Sequence, residues 1–280
     1  MKIKISLLSL LLISTLLCTC KKDGKSGSGT DNATVMKKML DSGLVGYYPF
    51  IANAVDVSGN NNDGTLRDFN AFEMDSLVLP TLINDKFGHP KSAYYFNGVS
   101  DWINVPHNPL LVGIVTNQDI GAPLKQFSIY IRFKSDTSGA FQTLIQSGDA
   151  HAGPYSAQLA INGDQSLALS WEFVIPPNGS VAYFTTVANT IVPNKWYDLV
   201  FNFSNSKCDL YLNGSPVTMQ NTTTNSDFTT AGFFDILRIG STWQSLPNWF
   251  FKGTIDNIRF YNRELTNKEI QYLLLDIKHQ

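Results

Sequence analysis

Carboxylate side chains are considered first, because cleavage of a glycosidic bond by the common route needs two of them close together. The chain has four glutamates, Glu73, Glu172, Glu264 and Glu269, and only Glu73 has another acid, Asp75, within two residues. The histidines are scattered and form no zinc-hydrolase motif, and there is no nucleophile-elbow serine or phosphate-binding glycine loop. The sequence therefore predicts a protein that is not an enzyme, although acids on distant strands can still converge in a fold.

A metal site is predicted from Asp256, which alternates onto one strand face with Ile258 and Phe260 in GTIDNIRFY. If that face is the core, the buried carboxylate requires a cation or several hydrogen-bond donors. The loop 56–63 (DVSGNNND) begins with Asp56 and offers oxygens of the kind that calcium binds. One interpretation is a structural calcium shared by Asp56 and Asp256. The other is that the polar loop residues bond to their own turn.

Ligand binding is predicted at aromatic residues in loops, because the apolar C–H faces of sugars stack on exposed rings. The candidates lie in GDAHAGPYS and STWQSLPNW, and they are His151, Tyr155, Trp243 and Trp249. Burial in the core is the alternative for Trp249, which precedes two phenylalanines. Trp102 and Trp196 are expected in the core.

The N-terminus has the pattern of a secretory signal, with Lys2 and Lys4 before an apolar run that is too short to span a bilayer. Residues 1–20 end in Cys20, and the following KKD resembles the start of a bacterial lipoprotein of the Bacteroidetes type. This resemblance implies lipidation of Cys20 and a lipid anchor in the outer membrane of the cell envelope, with periplasmic or surface orientation left open. An ordinary secretion signal is the alternative. Residues 21–42 are predicted to be a flexible tether with one or two helical turns, and residues 43–280 a single domain.

Alternation predicts strands within this domain. In 127–133 (FSIYIRF) and 197–203 (YDLVFNF) the apolar residues recur at every second position, which is typical of half-buried antiparallel strands. Gly/Asn turns separate many such short segments, which indicates an all-β sandwich. Cys208 is expected to be a small core residue. A capping box at Thr266 and Glu269 predicts one C-terminal helix with an apolar stripe.

Three segments in this order carry a resemblance: 43–64 (GLVGYYPFIANAVDVSGNNNDG), 94–105 (YYFNGVSDWINV) and 253–270 (GTIDNIRFYNRELTNKEI). Together they resemble the laminin-G-like, concanavalin A-like lectin/glucanase jelly roll. The resemblance implies two antiparallel sheets and a short C-terminal helix. In related sandwiches the Asp corresponding to Asp256 often holds a structural calcium beside the first strand.

The first functional interpretation is a non-catalytic cell-surface domain that binds a polysaccharide or glycoconjugate, or mediates adhesion. A protein–protein or structural module of an outer-membrane complex, with a surface protein as partner, is the second. A glycoside hydrolase or lyase with an unusual arrangement of acids is the third. A net charge of −2 gives no reason to expect nucleic acid as a partner.

Overall fold

The computed structural model of the chain describes residues 32–69, 78–106, 126–147, 155–175, 178–204, 207–221, 237–242, 249–275 and 278. The predicted signal with Cys20 and the tether up to residue 31 lie outside these residues. Asn32–Gln280 form one compact unit. In the described part of the chain, no helix is both long and apolar enough to cross a membrane.

The described residues form two helices and sixteen strands, numbered along the chain. These elements are α1 (Asn32–Asp41), β1 (Leu44–Tyr48), β2 (Thr65–Asp68), β3 (Thr81–Ile83), β4 (Ala93–Asn97), β5 (Asp101–Val105), β6 (Gln126–Ser135), β7 (Gln142–Ser147), β8 (Tyr155–Ile161), β9 (Leu167–Ile175), β10 (Asn178–Thr185), β11 (Trp196–Ser204), β12 (Lys207–Leu212), β13 (Ser215–Val217), β14 (Gln220–Asn221), β15 (Leu237–Ile239), β16 (Lys252–Tyr261) and α2 (Asn267–Leu273).

The strands form two sheets of eight strands each. Sheet 1 has the order β13-β12-β11-β6-β16-β4-β3, and β1 also pairs with β16. Sheet 2 has the order β14-β10-β9-β8-β7-β15-β5-β2. The neighbouring strands in both sheets are antiparallel, for example β6 with β11 and β7 with β8. This architecture confirms the predicted all-β jelly-roll sandwich of two antiparallel sheets with a short C-terminal helix.

The main core lies between the sheets and consists of the alternating apolar residues of both. On β6, the predicted core face with Ile129, Ile131 and Phe133 joins this cluster. The opposite face of β6 is buried too, since Tyr130 is fully covered and Arg132 almost so. The expectation of a half-buried strand is therefore wrong for β6, and it is wrong for β11 too, where all residues of 197–203 are buried. Tyr130 forms a second apolar cluster with residues of both helices, which accounts for its burial.

The two helices help to cover the outer face of sheet 1. Leu40 of α1 shares the second cluster with Ile270 and Leu273 of α2. Residues 32–41, which the sequence placed in the tether, therefore form a ten-residue helix that packs on the domain. The capping box of α2 is present as predicted, with the Thr266 hydroxyl accepting from the Glu269 N–H. The partly buried Cys208 packs against the main core, and burial raises the pKa of its thiol.

Candidate functional site

A continuous row of polar side chains crosses the outer face of sheet 2. Each position is directly opposite the next in the strand register. This polar row consists of Thr65 on β2, Asn104 on β5, Arg238 on β15, Gln146 on β7, Gln158 on β8, Ser170 on β9 and Tyr183 on β10. Side chains alternate between the two faces of a strand, so the row faces away from the core residues beside it. For example, Ile239 follows Arg238 and is fully buried in the main core.

Hydrogen bonds fix the amides at the centre of the polar row. The Gln158 Nε2 donates to the Gln146 Oε1 at 3.2 Å and to the Thr143 Oγ1 at 3.1 Å. Gln146 is buried, whereas Gln158, Asn104 and Arg238 are half-buried. At the far end, the Asn162 Nδ2 donates to the Tyr183 hydroxyl at 3.3 Å. The half-buried members of the row thus present ordered amide and hydroxyl groups, which suit the hydroxyls of a sugar, while buried Gln146 holds Gln158 in place.

An aromatic ring and two guanidinium groups lie at one end of the polar row. Trp102 is two residues before Asn104 on β5, so the two share the outer face, and Trp102 is half-buried. The guanidinium carbon of Arg238 is 5.0 Å from the centroid of the Trp102 ring, which is cation–π geometry. The Arg238 Nη1 also donates to the carbonyl of Thr242 at 3.2 Å. Arg67 is exposed on β2 directly opposite Trp102 in the register.

The expectation that Trp102 and Trp196 belong to the core is wrong. Both are half-buried and carry a cation over the ring; for Trp196 the cation is Lys134, with its Nζ 5.6 Å from the ring centroid. The sequence contains a signal that identifies Trp102. In DWINV the apolar Ile103 and Val105 alternate with Trp102 and Asn104, which places the tryptophan on the polar face.

Of the four predicted ligand-binding residues, only Trp249 has a described side chain. It is half-buried, and its ring centroid lies 5.1 Å from that of Phe141. Its carbonyl accepts from the N–H of Thr143 at 3.1 Å, which places Trp249 beside the polar row. Tyr155 is the first residue of β8, and its side chain is outside the description. His151 and Trp243 lie outside the described residues.

The carboxylate of Asp56 is held by its own turn. Its Oδ1 accepts from the N–H groups of Tyr47 and Ser58, each at 2.9 Å. Its Oδ2 accepts from the Ser58 hydroxyl at 2.9 Å and from the Asn62 side-chain amide at 2.8 Å. Apart from the N–H of Tyr47 on β1, these contacts form the hydrogen-bonded turn that was the alternative to calcium at this loop.

Asp256 has a different set of partners. It is fully buried and forms an ion pair with the Lys278 ammonium, and its Oδ2 accepts from the N–H of Lys86 at 3.1 Å. The Lys278 Nζ also contacts the carbonyl oxygens of Pro49 and Ser92 and the carboxylate of Asp85 at 3.3 Å. We call Lys278 with these oxygens the lysine cage. The burial of Asp256 and its need for a cation agree with the reasoning from sequence, and the cation in the cage is a lysine. The expected alternation with Ile258 and Phe260 is wrong, because the register shifts between Ile255 and Asn257 and it is Ile255 that joins these two in the main core.

Hydrogen-bond donors of the protein already hold the carboxylates of both predicted metal ligands, Asp56 and Asp256. Within the described part of the chain, no group of three or more His, Cys, Asp or Glu residues is arranged to hold a metal ion. An ion at Asp256 would have to displace the Lys278 ammonium, and an ion at Asp56 would have to displace donors of its turn. Calcium shared by Asp56 and Asp256 stays a prediction.

The two carboxylates of the lysine cage have pKa values shifted in opposite directions, because burial outweighs Lys278 and raises the pKa of Asp256, whereas the pKa of Asp85 is lowered. Burial by itself would raise the pKa of the Asp85 carboxyl, but hydrogen bonds from His89 and Phe87 and the charge of Lys278 lower that pKa to about 2. The N–H groups of Phe87 and His89 lie 2.9 Å from its Oδ1. This carboxylate is therefore ionised at neutral pH and balances part of the charge of Lys278.

Two carboxylates meet at the end of the β2–β5 pair. Asp68 and Asp101 are directly opposite in the register and are 7% and 2% exposed. The Asp68 Oδ2 accepts from the Val78 N–H at 2.7 Å, and the Asp101 Oδ1 accepts from the Asn97 N–H at 2.9 Å. Burial and the charge of Asp68 raise the pKa of Asp101 to about 6. These acids are covered and bonded to turns, which fits a structural role; the Glu73–Asp75 pair lies outside the described residues.

The raised pKa of Asp101 predicts a pH-dependent stability. Because its pKa is about 6 in the folded protein and 3.8 in a model peptide, the native state binds this proton more tightly. The stabilising effect of this bound proton is present below pH 4 and is lost as the pH rises through 6. Asp101→Asn keeps an acceptor for Asn97 and stays neutral, so its melting temperature should rise relative to wild type between pH 4 and pH 7. If the difference in melting temperature between Asp101→Asn and wild type does not change with pH, the pKa of Asp101 is not raised.

The fold and the sequence together define the class of this protein. Residues 97–271 match the family model Laminin_G_3, described as the concanavalin A-like lectin/glucanases superfamily. The match covers more than half of the chain, so the chain belongs to this superfamily. No curated protein matches the sequence.

Solved structures with the same fold include domain 4 of AbnA, a GH43 extracellular arabinanase from Geobacillus stearothermophilus, in complex with arabinotriose. It is 22% identical, with a TM-score of 0.55, over 83% of this chain and 98% of that domain. The ligand binding domain of botulinum neurotoxin serotype D in complex with N-acetylneuraminic acid is 16% identical, with a TM-score of 0.57, over 85% of this chain.

The binding domain of botulinum neurotoxin DC in complex with rat synaptotagmin II is 14% identical, with a TM-score of 0.56, over 85% of this chain. The chain spans about half the length of these two toxin structures, 52% of each. At these identities the likeness concerns the fold.

Proposed function

We propose that the protein is a non-catalytic carbohydrate-binding or adhesion module that binds its ligand on the outer face of sheet 2. The observation that carries this proposal is the polar row, which crosses seven strands and ends beside Trp102. Amides and hydroxyls can exchange hydrogen bonds with sugar hydroxyls, and the indole offers an apolar surface. The arabinotriose and N-acetylneuraminic acid complexes of proteins with this fold support the choice of a glycan.

The proposal predicts that Trp102 contributes to binding and that Trp196 does not. A glycan array with the purified domain identifies a ligand, and calorimetry then measures its affinity. Trp102→Ala should weaken binding at least tenfold, which corresponds to about 1.4 kcal/mol. Trp196→Ala is the matched control, because it removes another half-buried indole, which lies beneath a lysine on sheet 1. If the two variants bind the ligand with equal affinity, the outer face of sheet 2 is not the binding site.

A protein-binding module is the second candidate. The complex of a toxin binding domain of the same fold with synaptotagmin II supports it. An array without glycan binding, together with capture of one surface protein that Trp102→Ala abolishes, would favour this candidate. If the wild type releases sugars from polysaccharides, it is an enzyme, and the proposal of a non-catalytic module is wrong.

We further propose that Cys20 is acylated and holds the domain at the outer membrane of the cell envelope. The support is the sequence, in which an apolar run ends at Cys20 and is followed by a polar segment. Cys20→Ala should release the protein from the membrane fraction or leave the precursor unprocessed. A variant that is cleaved normally and still sediments with membranes would contradict lipidation.

A further inference from the structure

A cavity of about 670 Å³ lies beside α1 on the outer side of sheet 1. Its lining includes Leu40 and Lys37 of α1, Tyr47 of β1, Val57 and Arg259. This volume is within the usual range of sites that bind small molecules. The polar row lies on sheet 2, so the cavity is separate from the surface proposed above.

Arg259 is the unusual feature of this cavity. Arg259 lines the cavity, although only 4% of the residue is exposed. Its Nε–H has no hydrogen-bond partner among the described residues, and no described carboxylate lies within ion-pair distance of its guanidinium. Its guanidinium carbon lies 3.8 Å from the centroid of the Tyr47 ring, which covers one face of the group.

The other arginines buried or half-buried on this side of the sandwich have carboxylate partners. Arg132 pairs with Asp198 at 2.5 Å, and Arg263 pairs with Glu269 at 2.6 Å. A buried charge without such a partner is costly, because it has lost the stabilisation that water provides. An oxyanion bound next to Arg259 would supply the missing partner.

The charges around the cavity favour an anion. Lys37 is paired with Asp41 at 2.6 Å, and Lys278 is paired with the carboxylates of the lysine cage. Arg259 is therefore the cation of the lining whose charge is not balanced by a described acid. Two positions further along β16, the buried hydroxyl of Tyr261 interacts with the Arg259 guanidinium, but burial raises its pKa and keeps it neutral, so it does not balance the charge.

We propose that this cavity binds a small oxyanion on Arg259, in the first place a carboxylate. The planar guanidinium carries paired N–H groups that match the two oxygens of a carboxylate. The carboxylate belongs either to a free organic acid or to an acidic sugar residue of a glycan. Both sources share the chemistry that Arg259 recognises.

Calorimetry with the full chain distinguishes these sources, using D-galacturonate, D-galactose and acetate as probes. We expect galacturonate to bind and galactose, which lacks the carboxylate, to bind at least tenfold more weakly. Binding of acetate with the same affinity as galacturonate would assign the site to small free acids. Absence of binding by both anions, or equal binding of galactose and galacturonate, would overturn the proposal.

Two variants locate the anion in the cavity. Arg259→Gln should reduce galacturonate affinity at least tenfold, whereas Lys207→Gln removes an exposed cation of the same sheet and should leave it unchanged. Val57→Trp, at an exposed residue of the lining, keeps Arg259 and should weaken binding by filling the cavity, so it covers the case in which Arg259→Gln does not fold. Unchanged affinity in Val57→Trp and in folded Arg259→Gln would place the anion elsewhere. Neither result depends on glycan binding at the polar row.

Discussion

Replacing Lys278 by methionine should lower the free energy of unfolding by about 3–5 kcal/mol, which is typical when one partner of a buried ion pair is removed. The variant leaves the Asp256 and Asp85 carboxylates, both fully buried, without their shared cation. It also leaves the carbonyl oxygens of Pro49 and Ser92 without this donor. Urea denaturation of the purified domain measures the change.

Lys37→Met is the matched control, because Lys37 pairs with Asp41 on the exposed surface of α1. Exposed pairs of this spacing contribute about 0.3–0.5 kcal/mol, so the control should be nearly as stable as the wild type. A Lys278→Met variant as stable as Lys37→Met would show that the lysine cage does not form in solution.

The same variant tests the calcium prediction. Without the ammonium, the lysine cage offers two carboxylates and backbone carbonyls, which are ligands that calcium prefers. Calcium should therefore raise the melting temperature of Lys278→Met, by an amount equivalent to about 2.7 kcal/mol at a hundredfold excess over its dissociation constant. If calcium also stabilises the wild type and chelator destabilises it, the ion competes with Lys278. If calcium changes the melting temperature of neither protein, the lysine cage does not bind calcium.

The fold could be predicted from sequence because its signals are local. Alternation in the segments that became β6 and β11 identified the core faces, and the capping box at Thr266 identified the start of α2. Alternation does not reveal whether other elements of the fold cover the outer face of a strand. The burial of Tyr130 depends on helices from both ends of the chain, and that is tertiary information.

The candidate sites depended even more on contacts between distant segments. Asp256 was recognised as a buried carboxylate from its neighbours on β16, but its partner Lys278 follows the predicted apolar stripe of α2 and carries no local signal. The polar row joins seven strands, and each strand contributes a single residue to it. Trp102 could have been found, because the alternation of DWINV was sufficient; size and hydrophobicity alone wrongly favoured the core.

The second large effect is expected at Asp198, a fully covered carboxylate on β11. Its Oδ1 accepts from the Arg132 Nε at 2.5 Å and from the Tyr130 hydroxyl at 2.7 Å, and its Oδ2 pairs with the Lys86 Nζ at 2.6 Å. The Arg132 Nη2 also donates to the carbonyl of Leu273 at 2.9 Å, and the Tyr130 hydroxyl oxygen lies 3.0 Å from the same carbonyl oxygen. Asp198 therefore orients the two side chains that hold the C-terminal end of α2.

Asp198→Asn should destabilise the domain by about 3–5 kcal/mol, because it leaves the buried Arg132 guanidinium without a counter-charge while preserving the shape of the side chain. Asp209→Asn is the matched control, since it removes a carboxylate that pairs with exposed Lys207 on neighbouring β12, where about 0–1 kcal/mol is expected. In the double variant with Arg132→Met, the loss should be smaller than the sum of the two single losses, because the unpaired charge is gone. Additive losses, or equal midpoints for Asp198→Asn and Asp209→Asn, would mean that the anchoring of α2 does not depend on this buried pair.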